Sequence, residues 1–340
     1  MTSGSRYPRD GRRAPGLPDR RGPLVRVSRK TIDITGLRDI IQRRIPVLIA
    51  DSRTPGPVVC LTACIHGDEV GGTAIVHDVL AHLRHRGLNR GCVYAYPLVN
   101  SMGFENVSRF ITADGEDLNR CFPGDARGSM GQQIARRLFD TILKSRPDLV
   151  IDLHNDWIRS VPYCLVEPAD QHANQGFYGR VLKIARATGL LLVEDSDVFH
   201  PLANTLAGAV IAEGIPAVTI EAGGSFAVVE DGVTAGTQAV LSVLKTLKMI
   251  PADGLGARKK SNTRALKYTD RPLCTTSGLI RFFVEPGQEI RKGQRLAAVY
   301  SAFGSREETL TADSAGYVLG LEDHGRALPS RAVIAIAEHT

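Results

Sequence analysis

The stretch His66-Gly67-Asp68-Glu69 sets an imidazole and a carboxylate three residues apart, where an apolar run from Val58 to Ile65 ends. A second apolar run ends in Asp152-Leu153-His154, and a third, Val218-Thr219-Ile220, ends in Glu221. Two imidazoles and one carboxylate that leave a fourth position open form the donor set of a catalytic rather than a structural zinc site. The glutamate at the end of the third run can serve as a base. In an open α/β sheet the ligand crevice lies beyond the carboxyl ends of the strands, so these endings can converge although 155 residues separate His66 from Glu221. The first reading is a metallohydrolase.

Each residue taken singly also has a plainer use. A histidine at a strand end is often just a satisfied polar residue, and Glu69 can be a first-turn acid favoured by the helix dipole. The context separates the readings. Gly71-Gly72 and an amphipathic run follow the pair, which brings the backbone amides of a helix start close to it. Within that run Ile75, Val76, Val79, Leu80 and Leu83 fall on one stripe, whereas His77, Asp78, His82, Arg84 and His85 lie off it and are not read as ligands.

A fourth segment, Asp117-Leu118-Asn119-Arg120-Cys121-Phe122-Pro123-Gly124, completes a pattern. His66-Gly67-Asp68-Glu69, Asp117-Leu118-Asn119-Arg120, Asp152-Leu153-His154 and Glu221-Ala222-Gly223-Gly224 resemble, in order and spacing, the motifs of the succinylglutamate desuccinylase/aspartoacylase family, relatives of the zinc carboxypeptidases. The resemblance extends over about residues 45 to 340. It implies that His66, Glu69 and His154 bind one zinc ion per chain, that Glu221 is the general acid/base, and that Asn119 and Arg120 hold a substrate carboxylate. Arg109 is similar to the family's carbonyl-polarising arginine, set here three residues further from the Asp-Leu-Asn-Arg motif. The family often has a small residue after its second histidine. This chain has Asn155 followed by Asp156 and Trp157, so Asn155 is expected to contact the acyl or amine portion of the substrate.

The chemistry supports these roles from the residue types themselves. A carboxylate beside a zinc-activated water can take its proton and pass it to a departing amine, which fits Glu221. A tetrahedral oxyanion needs positive charge placed in advance, while the planar fork of Arg120 suits a bidentate grip on a carboxylate. The plain alternative for Arg109 and Arg120 is an ion pair with Asp114, Glu116 or Asp117. Asp152 is a candidate outer partner for a metal-binding histidine, or a loop cap.

With 340 residues, 43% hydrophobic and 23% charged, the chain can build one large α/β domain and a smaller module. Residues 1–30 hold eight Arg and one Lys against two Asp, a net +7, so the remaining 310 residues carry about −1 of the formal charge of +6. Its Gly, Pro and Ser content reads as disorder, and no apolar segment marks a secretory signal. No apolar run approaches the roughly 20 residues of a membrane span, and no nucleic-acid motif accompanies the basic arm. The six cysteines show no framework spacing and suit a reducing cytoplasm.

Strands are expected near 57–65, 92–98, 148–153, 161–166, 190–194 and 216–220, alternating with helices near 72–86, 129–145, 176–188, 204–213 and 233–248. The fold class is therefore α/β, and the resemblance implies a zinc-carboxypeptidase-like mixed sheet flanked by helices over residues 31–250. A Pro/Gly-rich linker is expected at 251–264. Residues 265–340 read as all-β, and Ser277 to Ala337 resemble the barrel-sandwich domain that family members carry at the C-terminus, without a Met-Lys-Met carrier motif. Such a module would act as a lid, a substrate gate, an oligomer contact in a homo-oligomer, or plain structural support.

The favoured function is zinc-dependent hydrolysis of the amide in a small-molecule N-acyl substrate, an N-acylated amino acid or related amine. A metallocarboxypeptidase acting on a peptide C-terminus would use the same groups, and a non-catalytic binding protein could share the fold. A β module capping the cleft would favour compact substrates over peptides. Asn155, Asp156 and the loop around His200 are the expected specificity elements if the carboxylate anchor is wrong.

Overall fold

The computed structural model describes residues 25–33, 44–196, 202–251 and 264–339. The first nine strands are β1 (Val27–Asp33), β2 (Arg44–Asp51), β3 (Val58–Ala63), β4 (Cys92–Tyr96), β5 (Leu149–His154), β6 (Arg159–Ser160), β7 (Tyr163–Val166), β8 (Leu191–Glu194) and β9 (Ala217–Glu221). After them come β10 (Leu266–Thr269), β11 (Gly278–Phe282), β12 (Glu289–Ile290), β13 (Arg295–Tyr300), β14 (Arg306–Thr311), β15 (Gly316–Leu321), β16 (Arg326–Ala327) and β17 (Ile334–Glu338). The helices are α1 (Gly71–Arg86), α2 (Ser101–Glu105), α3 (Met130–Lys144), α4 (Gln175–Ala187), α5 (Leu206–Ala212) and α6 (Glu230–Thr246).

The main sheet is mixed, in the order β1-β2-β4-β3-β5-β9-β7-β8-β10-β17-β15-β12, with β6 also pairing with β15. Burial explains its centre. β5 is buried throughout and β3 nearly so, as expected of strands covered on both faces, and they run parallel to each other and to β4 and β9. At the margin, β1 (Val-Ser-Arg-Lys-Thr-Ile-Asp) is mostly exposed and charged, which blunts the sheet edge. Helix α1 buries the stripe Ile75, Val76, Val79, Leu80 and Leu83 and leaves His82 and His85 outside the core. Helices α3, α4 and α5 start where the side chains of Ser129, Asn174 and Thr205 accept hydrogen bonds from amides three residues on, so local capping fixes their first turns.

The expected helices all appear within a few residues of their periodic runs, and the expected strand at 161–166 divides into β6 and β7. Two features differ. β1 and β2 form an antiparallel pair, so residues 27–30 of the expected basic arm are strand, because Val27 and Ile32 pack against the core from a sequence whose charges face outward. The expected C-terminal β region shares strands with the main sheet. β10 pairs in parallel with β8 and antiparallel with β17, so β10, β17, β15 and β12 continue the main sheet. A second small sheet, β14-β13-β11-β16, completes the C-terminal region around Ile280, Leu296, Val299 and Leu310. A seam of Tyr163, Val193, Leu266, Leu319, Ala335 and Ala337 joins the two parts. There the Trp157 ring lies so close to Gly320 that a Cβ at that position would stand 2.6 Å from it. The expected linker lies almost wholly outside the described residues, as does the arm up to residue 24.

Candidate active site and metal centre

The parallel strands β3, β5 and β9 all end at one edge of the sheet. His66 and Glu69 leave the loop after β3, while His154 and Glu221 are the last residues of β5 and β9 and are direct neighbours in register. The loop after β3 turns sharply. Gly67 sits against α2, where a Cβ would fall 2.0 Å from the Gly103 carbonyl carbon, so only glycine admits this packing. Asn100 caps α2 and thereby holds the surface on which the loop rests.

His66, Glu69 and His154 are buried, and one potential ligand atom from each lies within 4.8 Å of the others. The Nδ1 of His66 is 2.6 Å from Glu69 Oε1, and the Nδ1 of His154 is 2.7 Å from Glu69 Oε2. The other ring nitrogens meet separate carboxylates: His66 Nε2 is 3.1 Å from Asp117 Oδ1, and His154 Nε2 is 3.0 Å from Asp152 Oδ2. A carboxylate at Nε2 fixes each ring with Nδ1 facing inward, the orientation in which a proton kept on Nε2 would free Nδ1 to bind a metal. Asp152 is in turn held by a 2.6 Å bond from Thr62 Oγ1. Burial acts to raise the pKa of Glu69, yet His66 and His154 outweigh it and hold the carboxyl below its usual range. Burial would likewise favour a neutral His154, but Asp152 and Glu69 raise its proton affinity well above the ordinary value. Two inward nitrogens, one carboxylate and concentrated negative charge fit a zinc ion.

Asp117 organises the adjoining turn. Its Oδ1 accepts from the Asn119 amide at 2.9 Å as well as facing His66, and its Oδ2 accepts from Arg109 Nε at 2.9 Å. Arg109 NH1 also reaches Glu69 Oε1 at 3.3 Å. Arg109 is thus ion-paired and lines the cavity at once. Asn119 Oδ1 accepts from the Leu206 amide at 2.9 Å, tying this turn to the start of α5, and Arg120 NH1 donates to the Asn119 carbonyl at 2.8 Å.

Glu221 is buried, and its Oε2 has no hydrogen-bond partner among the described residues. Burial, then the neighbouring Asp156, raises its pKa well above the usual value. Asp156 is pushed up to about 7, chiefly by burial, while Tyr163 donates to it at 2.5 Å. Asn155 lines the cavity, and its polar atoms are also engaged within the fold. Its amide donates to Glu69 Oε2 at 3.1 Å, its Oδ1 accepts from the Gly71 amide at 3.0 Å, and its Nδ2 donates to Gly223 O at 3.2 Å. Although it borders the cavity, these bonds make it a brace between α1, β5 and the loop after β9.

These groups surround a cavity of about 140 Å3 that brings together His66, Glu69, Arg109, Asn119, Arg120, His154 and Glu221. Sequence reasoning did not find Tyr163, Glu167, Asp195 and Tyr268, which also line it. Tyr163 and Glu167 had a signal: they share a face with Leu165, within and just past the strand expected at 161–166. Tyr268 had none, since only the pairing of β10 with β8 brings it here. A larger outer cleft of about 620 Å3 shares Glu69, Arg109 and Asp156 with the cavity and is walled by Trp157, His324, Arg326 and Arg331. His200 lies outside the described residues.

Known proteins are similar to this chain in sequence and fold. The model of the succinylglutamate desuccinylase/aspartoacylase catalytic domain matches residues 55–247. An N-α-acetyl-L-2,4-diaminobutyric acid deacetylase from Halomonas elongata is 33% identical over 147 residues, a match that covers 43% of this chain and 41% of that relative. A succinylglutamate desuccinylase/aspartoacylase structure from Rhodobacter sphaeroides superimposes with a TM-score of 0.77 at 25% identity, covering 93% of this chain and 96% of its own. A metallo-carboxypeptidase from Burkholderia cenocepacia shares the fold more loosely, with a TM-score of 0.50, 16% identity and coverage of 66% and 65%. Family model, fold and the four motifs at one sheet edge concur: the chain belongs to the succinylglutamate desuccinylase/aspartoacylase family.

Proposed function

We propose that this protein is a zinc-dependent deacylase that hydrolyses the amide bond of a small N-acylated amino acid or related amine. The observation that carries the reading is Glu221: a buried carboxylate with an oxygen free of described protein partners, next in register to His154 and opening on the same cavity as His66 and Glu69. Zinc held by His66, Glu69 and His154 would supply Lewis-acid character and a water acidic enough to lose a proton near neutral pH. Glu221 is placed to hold a proton at its unpartnered oxygen and to pass it to the leaving amine. Arg109, fixed by Asp117, brings positive charge to the oxyanion. Arg120 offers its guanidinium to the substrate carboxylate, with the Asn119 amide nitrogen beside it, the Asn119 oxygen being occupied by Leu206.

A compact substrate is favoured over a peptide by the size of the cavity and by Tyr268, which the C-terminal region contributes to its wall. The activity named for the Halomonas elongata relative, deacetylation of a small amino acid derivative, supports the same class. The test is to incubate zinc-loaded protein with N-acetyl, N-succinyl and N-formyl amino acids and measure amine release. Release from at least one series is expected. Cleavage of C-terminal residues from peptides with no release from any acyl amino acid would replace the reading by a carboxypeptidase.

A further inference from the structure

The inner cavity, with Arg120 and Glu221, and the outer cleft of about 620 Å3 meet at a junction. Four residues line both spaces: Glu69, Arg109, Asn155 and Asp156. An N-acyl amino acid whose carboxylate is at Arg120 and whose acyl group points outward has its amide at this junction. The fold fixes Asp156 there. In the sheet order β5-β9-β7, His154, Glu221 and Tyr163 stand in one register row. The chain leaving β5 carries Asp156 across the end of β9. Its amide donates to the Gly223 carbonyl at 3.1 Å, and its Oδ2 accepts from the Tyr163 hydroxyl at 2.5 Å. The pair thus joins β5 to β7, two strand spacings or roughly 10 Å apart, over the end of β9 that carries Glu221.

A secondary amide crossing the junction presents one acceptor, its carbonyl oxygen, and one donor, its N–H. The carbonyl oxygen falls to Arg109, whose guanidinium has donors only. The N–H needs an acceptor, because a donor taken out of water and left unpaired is costly. Three of the four junction residues have none to offer. Arg109 accepts nothing. Glu69 Oε1 faces His66 and Arg109, and its Oε2 faces His154 and the Asn155 amide. Asn155 Oδ1 accepts from the Gly71 amide, and its carbonyl oxygen accepts from Ser225 Oγ at 3.3 Å. Asp156 differs. Tyr163 holds its Oδ2, while its Oδ1 has no hydrogen-bond partner among the described residues. Asp68 and Glu322 line only the outer cleft, and Glu221 lines only the inner cavity, where its open oxygen is taken up by proton transfer.

We propose that Asp156 Oδ1 accepts the N–H of the scissile amide, which makes Asp156 a substrate-binding residue that selects amides bearing an N–H over the corresponding esters. The proposal rests on the deacylase reading and adds to it a residue that touches the reacting nitrogen. An ester in the same place sets an oxygen with lone pairs against a carboxylate oxygen, two acceptors with no proton between them. The Tyr163 hydroxyl holds the carboxylate in place, so Oδ1 is positioned before the substrate arrives. As the carbonyl carbon becomes tetrahedral the nitrogen becomes pyramidal. An N–H held at Asp156 then fixes the direction of the nitrogen lone pair, which receives the proton from Glu221.

The test takes the N-acetyl amino acids used for the deacylase reading and pairs each with its O-acetyl 2-hydroxy acid, as N-acetyl-L-alanine with O-acetyl-L-lactate. Acetate release is measured on zinc-loaded native protein, Asp156→Asn and Asp156→Ala. For an ester that binds without being cleaved, its inhibition constant against the amide replaces kcat/KM. Asp156→Asn keeps an oxygen for the Tyr163 hydroxyl and turns an NH2 toward the substrate, whereas Asp156→Ala removes the acceptor, so either variant serves if the other does not fold. In both, kcat/KM for the amide should fall roughly 10- to 100-fold, while the value for the ester moves by less than about threefold and zinc stays at one per chain. An unchanged amide rate, or amide and ester values that worsen together, would overturn the acceptor role and leave the deacylase reading standing. Native protein that cleaves no amide of the panel would overturn the deacylase reading and the acceptor role with it.

Discussion

The three carboxylates that touch the two imidazoles have both oxygens answered: Glu69 by two imidazoles, Arg109 and the Asn155 amide, Asp117 by His66, Asn119 and Arg109, and Asp152 by Thr62 and His154. Beside them Glu221, and farther along the cavity Glu167, each keep a buried oxygen without a described partner. An unpaired buried carboxylate is costly, so an acid left in that state is suited to receiving something, whereas a saturated one is suited to holding a shape. The comparison separates the groups that position from the groups that act.

The comparison breaks most sharply at the ligands. His154→Ala or His66→Ala should lose the zinc and with it measurable turnover, as read by metal analysis and amine release. Stoichiometric zinc in both variants would move the metal elsewhere. A smaller loss is expected at Arg120. Arg120→Lys keeps the charge but not the planar fork, which should cost roughly 1.5 to 3 kcal/mol, seen mainly as a raised KM for substrates with a free carboxylate. Equal native activity on the acid and amide forms of one substrate would remove the carboxylate anchor. Asp152→Asn changes a positioning group only, so zinc affinity should weaken by about 10- to 100-fold in a chelator competition while a saturated enzyme still turns over. The smallest effect belongs to the C-terminal wall. Tyr268→Phe removes the acceptor of the 3.3 Å bond from Trp157 Nε1 and should lower thermal stability by about 1 kcal/mol without loss of zinc.

Much of the holding apparatus was legible in the sequence, and less of the receiving one. His66, Glu69, His154 and Glu221 stand where apolar runs stop, and strand ends in an α/β sheet are where ligands gather, so local pattern and topology pointed the same way. Asp152 was readable as an outer partner for the same reason. Asn155 was not, because its bonds to Gly71 and Gly223 join segments 84 and 68 residues away and leave no local trace. The helices followed from periodicity and capping residues. The β1–β2 pair did not, since the arginine-rich context of β1 masked a strand that needs only one buried side. The C-terminal strands were recognised as β, but their continuity with the main sheet depends on the β8–β10 pairing, a long-range choice that composition does not encode.

The central claim, that Glu221 acts on a proton while His66, Glu69 and His154 hold the metal, is met most directly by one variant. Glu221→Gln preserves shape and removes proton acceptance, so zinc content should stay at one per chain while turnover on the best acyl substrate falls by roughly 100- to 10,000-fold. Loss of zinc from this variant would make Glu221 a ligand, and unchanged turnover would assign the proton transfer to another group.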